Sequence, residues 1–299
     1  MRAMRAPNRP HPRSAPELPR RRALLGALGS LWMVGCAHLP SDAPRKETQP
    51  GQVADQLRRL LPCPALLLGE LHDAPDHPPL QATVLQTLAA DGILAALVLE
   101  MAERGQSTHD LPATASEDDV RQALAWQENS WPWSRYRQPV MAAIRAGVPV
   151  SGGNLPRNGM RSAMNDPALD NRLSKRALAT LQDRIREGHC NLLPAQHIPG
   201  MARIQIARDV SMAQALASAW QPGRTAVLIC GNEHARQDLG VPLHLNRLPP
   251  PWPSSAGPVQ SVLMGPMDES TASASGTHWY TARQPQADHC AELHKQLPR

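Results

Sequence analysis

ALLLGELHDAPDH at residues 65–77 and TAVLICGNEH at residues 225–234 decide how this chain folds. Each begins as an unbroken apolar run and leaves it through G-x-x-H. The first gives Gly69-Glu70-Leu71-His72, the second Gly231-Asn232-Glu233-His234. An apolar run without alternation is a strand buried on both faces. Gly permits a sharp exit from that strand. The His then lies just beyond the carboxyl end, which is where open parallel sheets bind ligands. A third run, Ile93–Leu99, ends in Glu100-Met101, and a fourth, Val148–Val150, leads to Asn154-Leu155-Pro156-Arg157. Four strand ends thus bring His72, Glu100, Asn154 with Arg157, and His234 to one rim.

Helical stretches separate these strands. They are expected over Gln52–Leu61, Pro79–Ala90, Ser116–Gln127, Tyr136–Ala146, Ala168–Glu187 and Gly200–Trp220, with Ser116 and Asp119 at the start of the third. Gln260–Met264 and His278–Ala282 read as further strands. Residues 249–258 read as a Pro-rich connector and 267–277 as a polar loop. Strands alternating with helices give an α/β fold: a mostly parallel central sheet with helices on both faces. The polar, Trp-bearing stretch 104–135, with 157–200, is expected to form a helical cap subdomain over it.

Composition narrows the function. The 299 residues carry 31 Pro and no Phe, with 7 Trp and 2 Tyr, so aliphatic side chains and Met must fill the core. Net charge is +5, but residues 1–35 hold seven Arg and one Glu, which leaves about −1 for the remainder. A body near neutrality without a basic stripe argues against nucleic acid as a partner. The basic, then apolar leader reads as a secretory signal of residues 1–35. It ends in Met33-Val34-Gly35-Cys36, the box of a bacterial lipoprotein, with Cys36 as the lipidated first residue of the mature protein. Arg21-Arg22 also fits twin-arginine export. Residues 36–51 form a tether and 52–299 the folded domain. Ala37 after the Cys leans towards the outer membrane, facing the periplasm. Cys63, Cys190, Cys230 and Cys290 then reside in an oxidising compartment, which allows one or two disulfides of open connectivity.

The rim supplies the chemistry. His72 and His234, with His77 in the same oxygen- and imidazole-rich loop as Asp73 and Asp76, are candidate ligands of a divalent metal. Glu70 and Glu100 are candidate acid–base groups if the protein is an enzyme. On the helix over 200–220, Ile206, Val210, Ala213, Ala217 and Trp220 form a stripe for the core. Met201, Gln205, Arg208 and Met212 fall on the other side and suit a cofactor slot. Asp209 is expected to pair with Arg208 or another neighbour.

In this order, GELHDAPDHPPLQ, LVLEM, NLPR, QIARDVSMA and CGNEHARQDLGVP resemble the ChaN family of haem-binding lipoproteins, linked to bacterial iron uptake within the Tiki/TraB superfamily. The resemblance spans roughly residues 60–250. It implies an α/β body and haem held between two copies of the chain, with a Tyr as iron ligand. Tyr136 in W-x-x-Y takes that position here, and phenolate is a known axial ligand of haem iron. Met201 and Met212 would wall the haem, and Arg208 or Arg157 would meet a propionate. The Phe that often follows Glu-Met in the family is Ala102 here. The wider superfamily also contains Tiki-like proteins resembling metal-dependent peptidases. That implies a second reading, a hydrolase (peptidase or esterase) with His72, His234 and Glu70 or Glu100 around a metal.

Overall fold

Six strands form one sheet in the computed structural model, which describes residues 47–248, 257–266, 276–283 and 290–291. They are β1 (Ala65–Glu70), β2 (Leu94–Glu103), β3 (Val150–Asn154), β4 (Thr225–Gly231), β5 (Gln260–Gly265) and β6 (Thr277–Tyr280). Their order is β3-β2-β4-β1-β5-β6 and every pair is parallel. All strand carboxyl ends therefore lie along one edge. The leader, Cys36, most of the tether, the Pro-rich connector from residue 249 to 256 and the loop from 267 to 275 lie outside the described residues.

Alternation along the strands builds two apolar layers. Leu66, Leu68, Val227 and Ile229 face α1 (Pro50–Arg58), α2 (His77–Ala90) and α4 (Trp133–Arg145). Ala65, Leu67, Ala226, Leu228 and Cys230 face α7 (Ile198–Ala219) and α9 (Val241–Leu245). Each buried Leu or Val contributes roughly 1.5–3 kcal/mol from area removed from water. Without Phe, the large aromatic bulk of the core comes from Trp133, Tyr136 and Trp279.

The two stretches expected to cap the sheet together belong to different layers. Ala115, Val120 and Leu124, around α3 (Glu117–Ala123), join the core beneath α4. α5 (Met160–Met164) and α6 (Lys175–Gly188) instead pack on α7, where Leu173, Leu181, Ala202 and Ile206 form a smaller cluster. The expected start of α3 is present: Ser116 Oγ accepts the Asp119 N–H at 3.1 Å, and Asp119 accepts the Ser116 N–H at 3.0 Å. The stretch expected as one helix over Ala168–Glu187 is instead a 3-10 turn at Pro167–Arg172 followed by α6.

β3 runs from Val150 to Asn154 rather than from 148 to 150. Its Gly152 is required by contact. A Cβ there would stand 2.0 Å from the Glu103 carbonyl oxygen of β2. β2 likewise continues through Glu103, so Glu100 lies within the strand.

Candidate functional site

β4 lies between β2 and β1, so its last residue, Gly231, separates Glu100 on β2 from Glu70 on β1. Gly231 has no side chain, and the His72 ring occupies the space above it. A Cβ at 231 would stand 3.0 Å from His72 Nε2 and 3.7 Å from Glu100 Oε2. The edge is thereby shaped to hold an imidazole between two buried carboxylates.

Glu70 is the anchor on one side. Its Oε1 accepts the Tyr136 hydroxyl at 2.9 Å and His72 Nδ1–H at 2.9 Å. Its Oε2 accepts the Gln81 amide. The His72 side chain is 37% exposed, whereas that of Glu70 is buried. Burial opposes charge on His72, but the hydrogen bond to Glu70 and the nearby Glu100 raise its pKa above the ordinary value. Trp131 sets its ring edge against His72 at 4.9 Å, and Arg135 holds the His72 carbonyl at 2.7 Å.

Glu100 anchors the other side. Its Oε2 accepts the Gly231 N–H at 2.8 Å and lies 4.0 Å from His72 Nε2, while its Oε1 lies 3.3 Å from His234 Nε2. His234 Nδ1 donates to Asp209 Oδ1 at 2.5 Å. Burial works against a charged His234, yet Glu100 and Asp209 together push its pKa up to about 10. Burial likewise works against the Glu100 carboxylate, and His234 overrides it, holding Glu100 well below the usual range. The result is a buried Glu100–His234–Asp209 triplet with its central imidazole charged.

His72, Glu70, Glu100 and His234 thus meet at one strand edge. His77 does not join them. Its Nδ1 accepts the Leu71 N–H at 3.1 Å and its Nε2 faces Thr281 Oγ1 at 3.0 Å. Both nitrogens are committed, and the ring is fully buried. Among the described residues no group of three or more His, Cys, Asp or Glu is arranged to hold a metal ion. His77 therefore stands apart from His72 and His234, which corrects the expectation that these three histidines share one divalent metal.

Tyr136 is placed differently from the expectation too. It is 1% exposed, and its oxygen is spent on Glu70. Burial, then the adjacent Glu70 charge, push its pKa well above that of a free phenol. In this conformation Tyr136 is a protonated donor that orients Glu70, not a phenolate offered to iron. Met212 is fully buried between α7 and the sheet, beside Gly153 and Val98, and walls no open slot. Met201 and Arg208 are half-buried on α7. Arg157 is engaged elsewhere, with Glu103 at 3.8 Å and Ser130 Oγ at 3.4 Å.

Gln81 escaped the sequence reading, whereas Asp209 and Gln205 take other roles than expected: Asp209 pairs with His234, not Arg208, and the Gln205 amide nitrogen lies 3.2 Å from His234 Nε2. Gln205 and Asp209 are four apart on α7 and so share a helix face. That spacing was the available signal. It was hidden because α7 is buried on several sides, with Ala202 and Ile206 against α6 and Met212 and Leu216 against the sheet.

The family of haem-binding uptake proteins of the Tiki superfamily, ChaN, matches residues 57–245, a span that contains every one of these site residues. The chain belongs to this family. Among solved structures it is similar to ChaN of Campylobacter jejuni, described as binding haem cofacially. Identity is 23% and the TM-score 0.59, over 70% of this chain and 84% of that one, a likeness of fold. A Bacillus cereus protein aligns at 12% identity and TM-score 0.39, over 74% of this chain and 71% of that one. No curated protein matches this ChaN-family chain. Among its described residues no helix is long and apolar enough to cross a membrane.

Proposed function

We propose that this protein binds haem at the carboxyl edge of its sheet, as a lipid-anchored envelope protein serving haem or iron uptake. The observation that carries the reading is the family match over residues 57–245, which encloses the whole network from Glu70 to His234. Bound haem would supply a ferric iron, which accepts a nitrogen or oxygen donor from a side chain.

The residues at the edge fit that group. Iron-binding imidazoles commonly donate their second N–H to a carboxylate, which fixes the ring and its tautomer. His72 has that arrangement through Glu70, and its Nε2 lies 4.0 Å from the carboxylate of Glu100. His72 is also partly exposed, unlike Tyr136, so His72 is the residue that would hold the iron. Tyr136 and Gln81 keep Glu70 in place for it. Trp131 and Met201 add half-buried apolar surface to the same edge. A second copy of the chain, sharing haem across the edge, is part of the reading.

The envelope location is supported by the Cys190–Cys290 disulfide, a bond that persists in oxidising compartments. Anchoring at Cys36, by way of the 1–35 leader and with the outer membrane as destination, belongs to the same proposal. Mass spectrometry of membrane-extracted protein should find an acylated Cys36 at the mature N-terminus.

Titration with hemin tests the function. A saturable Soret band is expected from the purified protein. His72→Ala should shift or abolish it, while Tyr136→Phe should keep the band position. A protein that leaves the hemin spectrum unchanged at all ratios would end the proposal. A band lost in Tyr136→Phe and kept in His72→Ala would return the iron to Tyr136.

A further inference from the structure

Several arginines around α5, α6 and α7 are matched to carboxylates. Arg203 makes a two-pronged contact with Asp170 at 3.0 and 2.8 Å. Arg236 does the same with Asp238 at 3.0 and 2.8 Å, and Arg184 grips Glu233 at 2.5 Å. Arg208 differs. Its neighbour Asp209 is spent on His234, and its guanidinium forms no hydrogen bond or ion pair with another described residue. Its Nε is buried without an acceptor, alone among the described arginines. A buried guanidinium donor left without an acceptor is costly, and a carboxylate is the acceptor its planar fork fits.

The position of Arg208 says where such a carboxylate would arrive. It follows Gln205 by one helical turn, and Gln205 reaches the His234 ring. It precedes Met212 by one turn, which packs beside Gly153 of β3. Arg208 therefore stands at the carboxyl edge, between the His234 network and the end of β3. Two turns before it on the same stripe is Met201. Met164 of α5 rests on Gly200, two turns before Arg208 on α7, and is 39% exposed, the one large apolar side chain so exposed among the described residues. A cation on the same helix as thioether surface suits a flat apolar ligand that carries acid groups at its margin.

We propose that Arg208 is the carboxylate anchor of this edge and that it selects porphyrins bearing free propionates. The inference rests on the haem reading above and adds the group that orients the ligand. Metal-free protoporphyrin separates the two, since it keeps both acids and has no iron to ligate. Binding of hemin, protoporphyrin and their dimethyl esters is measured by absorbance and fluorescence on the full-length protein. Thermal unfolding of each variant is recorded in parallel.

The wild type should hold each free acid about tenfold or more tighter than its diester. Arg208→Gln should remove that preference by weakening the acids alone, and Arg208→Lys should restore part of it. Equal binding of acid and diester by the wild type would overturn the role of Arg208 while leaving haem binding intact. So would an Arg208→Gln variant that loses acid and diester to the same extent. A wild type that binds neither hemin nor protoporphyrin would overturn the haem reading together with this one.

Discussion

His234 has two buried carboxylates, at 2.5 and 3.3 Å, and almost no solvent. Removing it would leave Glu100 and Asp209 as buried charges without a counter-charge. His234→Ala is expected to cost about 3–5 kcal/mol, read by urea unfolding. The folded pKa of about 10 lies above the free value of 6.5. Its stabilisation is therefore complete below pH 6.5 and is lost as the pH climbs from 6.5 to 10. Unfolding free energy should fall across that window in the wild type and stay flatter in His234→Ala. Gly231 tests a different quantity. In Gly231→Ala the new methyl would press on His72, a half-exposed ring that has room to shift. Stability should change by less than about 1.5 kcal/mol while hemin affinity falls clearly. Unchanged affinity would show that the placement of His72 over Gly231 is irrelevant to binding.

Two elements position the site, and each fails in its own way. β3 lies against β2 through Gly152, where a Cβ would meet backbone rather than a movable side chain. Gly152→Ala should therefore cost about 3 kcal/mol, at the high end for overpacking, visible as a lower urea midpoint. The loop from β1 to α2 is pinned by His77, which ties the Leu71 N–H to Thr281 just after β6. Burial lowers the His77 pKa below 6.5, so the neutral ring is the one that fits. A depressed histidine stabilises the fold fully above its free pKa and less as the pH falls below it. The stability gap between wild type and His77→Leu should hence narrow as the pH drops below 6.5, measured by denaturant melts at successive pH values. A gap independent of pH would show that His77 does not titrate with unfolding. In sequence, His77 resembled a ligand because its imidazole sits among Asp73 and Asp76. Only its burial against Thr281 marks it as a clamp.

At the scale of the molecule, the Cys190–Cys290 bond joins residues 100 apart and ties the segment after α6 to the carboxyl-terminal region. Cross-linking over such a span restricts the unfolded chain, a contribution of about 2–5 kcal/mol. Cys290→Ser, or full reduction, should lower stability by that order, and non-reducing peptide mapping should recover the 190–290 pair. Buried Cys63 and Cys230 should stay reduced in the same map. The sequence alone specified the α/β architecture, because continuous apolar runs such as Ala65–Leu68 and Thr225–Cys230 are stable only when covered on both faces. It also determined that His72, Glu100 and His234 share an edge, because parallel strands bring all their carboxyl ends to one side. Tertiary structure decided the rest, since burial and partnership are not local properties. It matched Asp209 to His234 across 25 residues and spent the Tyr136 hydroxyl on Glu70 across 66. It chose Cys290 for Cys190 and left Arg208 with a buried nitrogen that no described residue accepts. Each depends on which side chains arrive at a point in space together, and spacing along the chain carries no record of that.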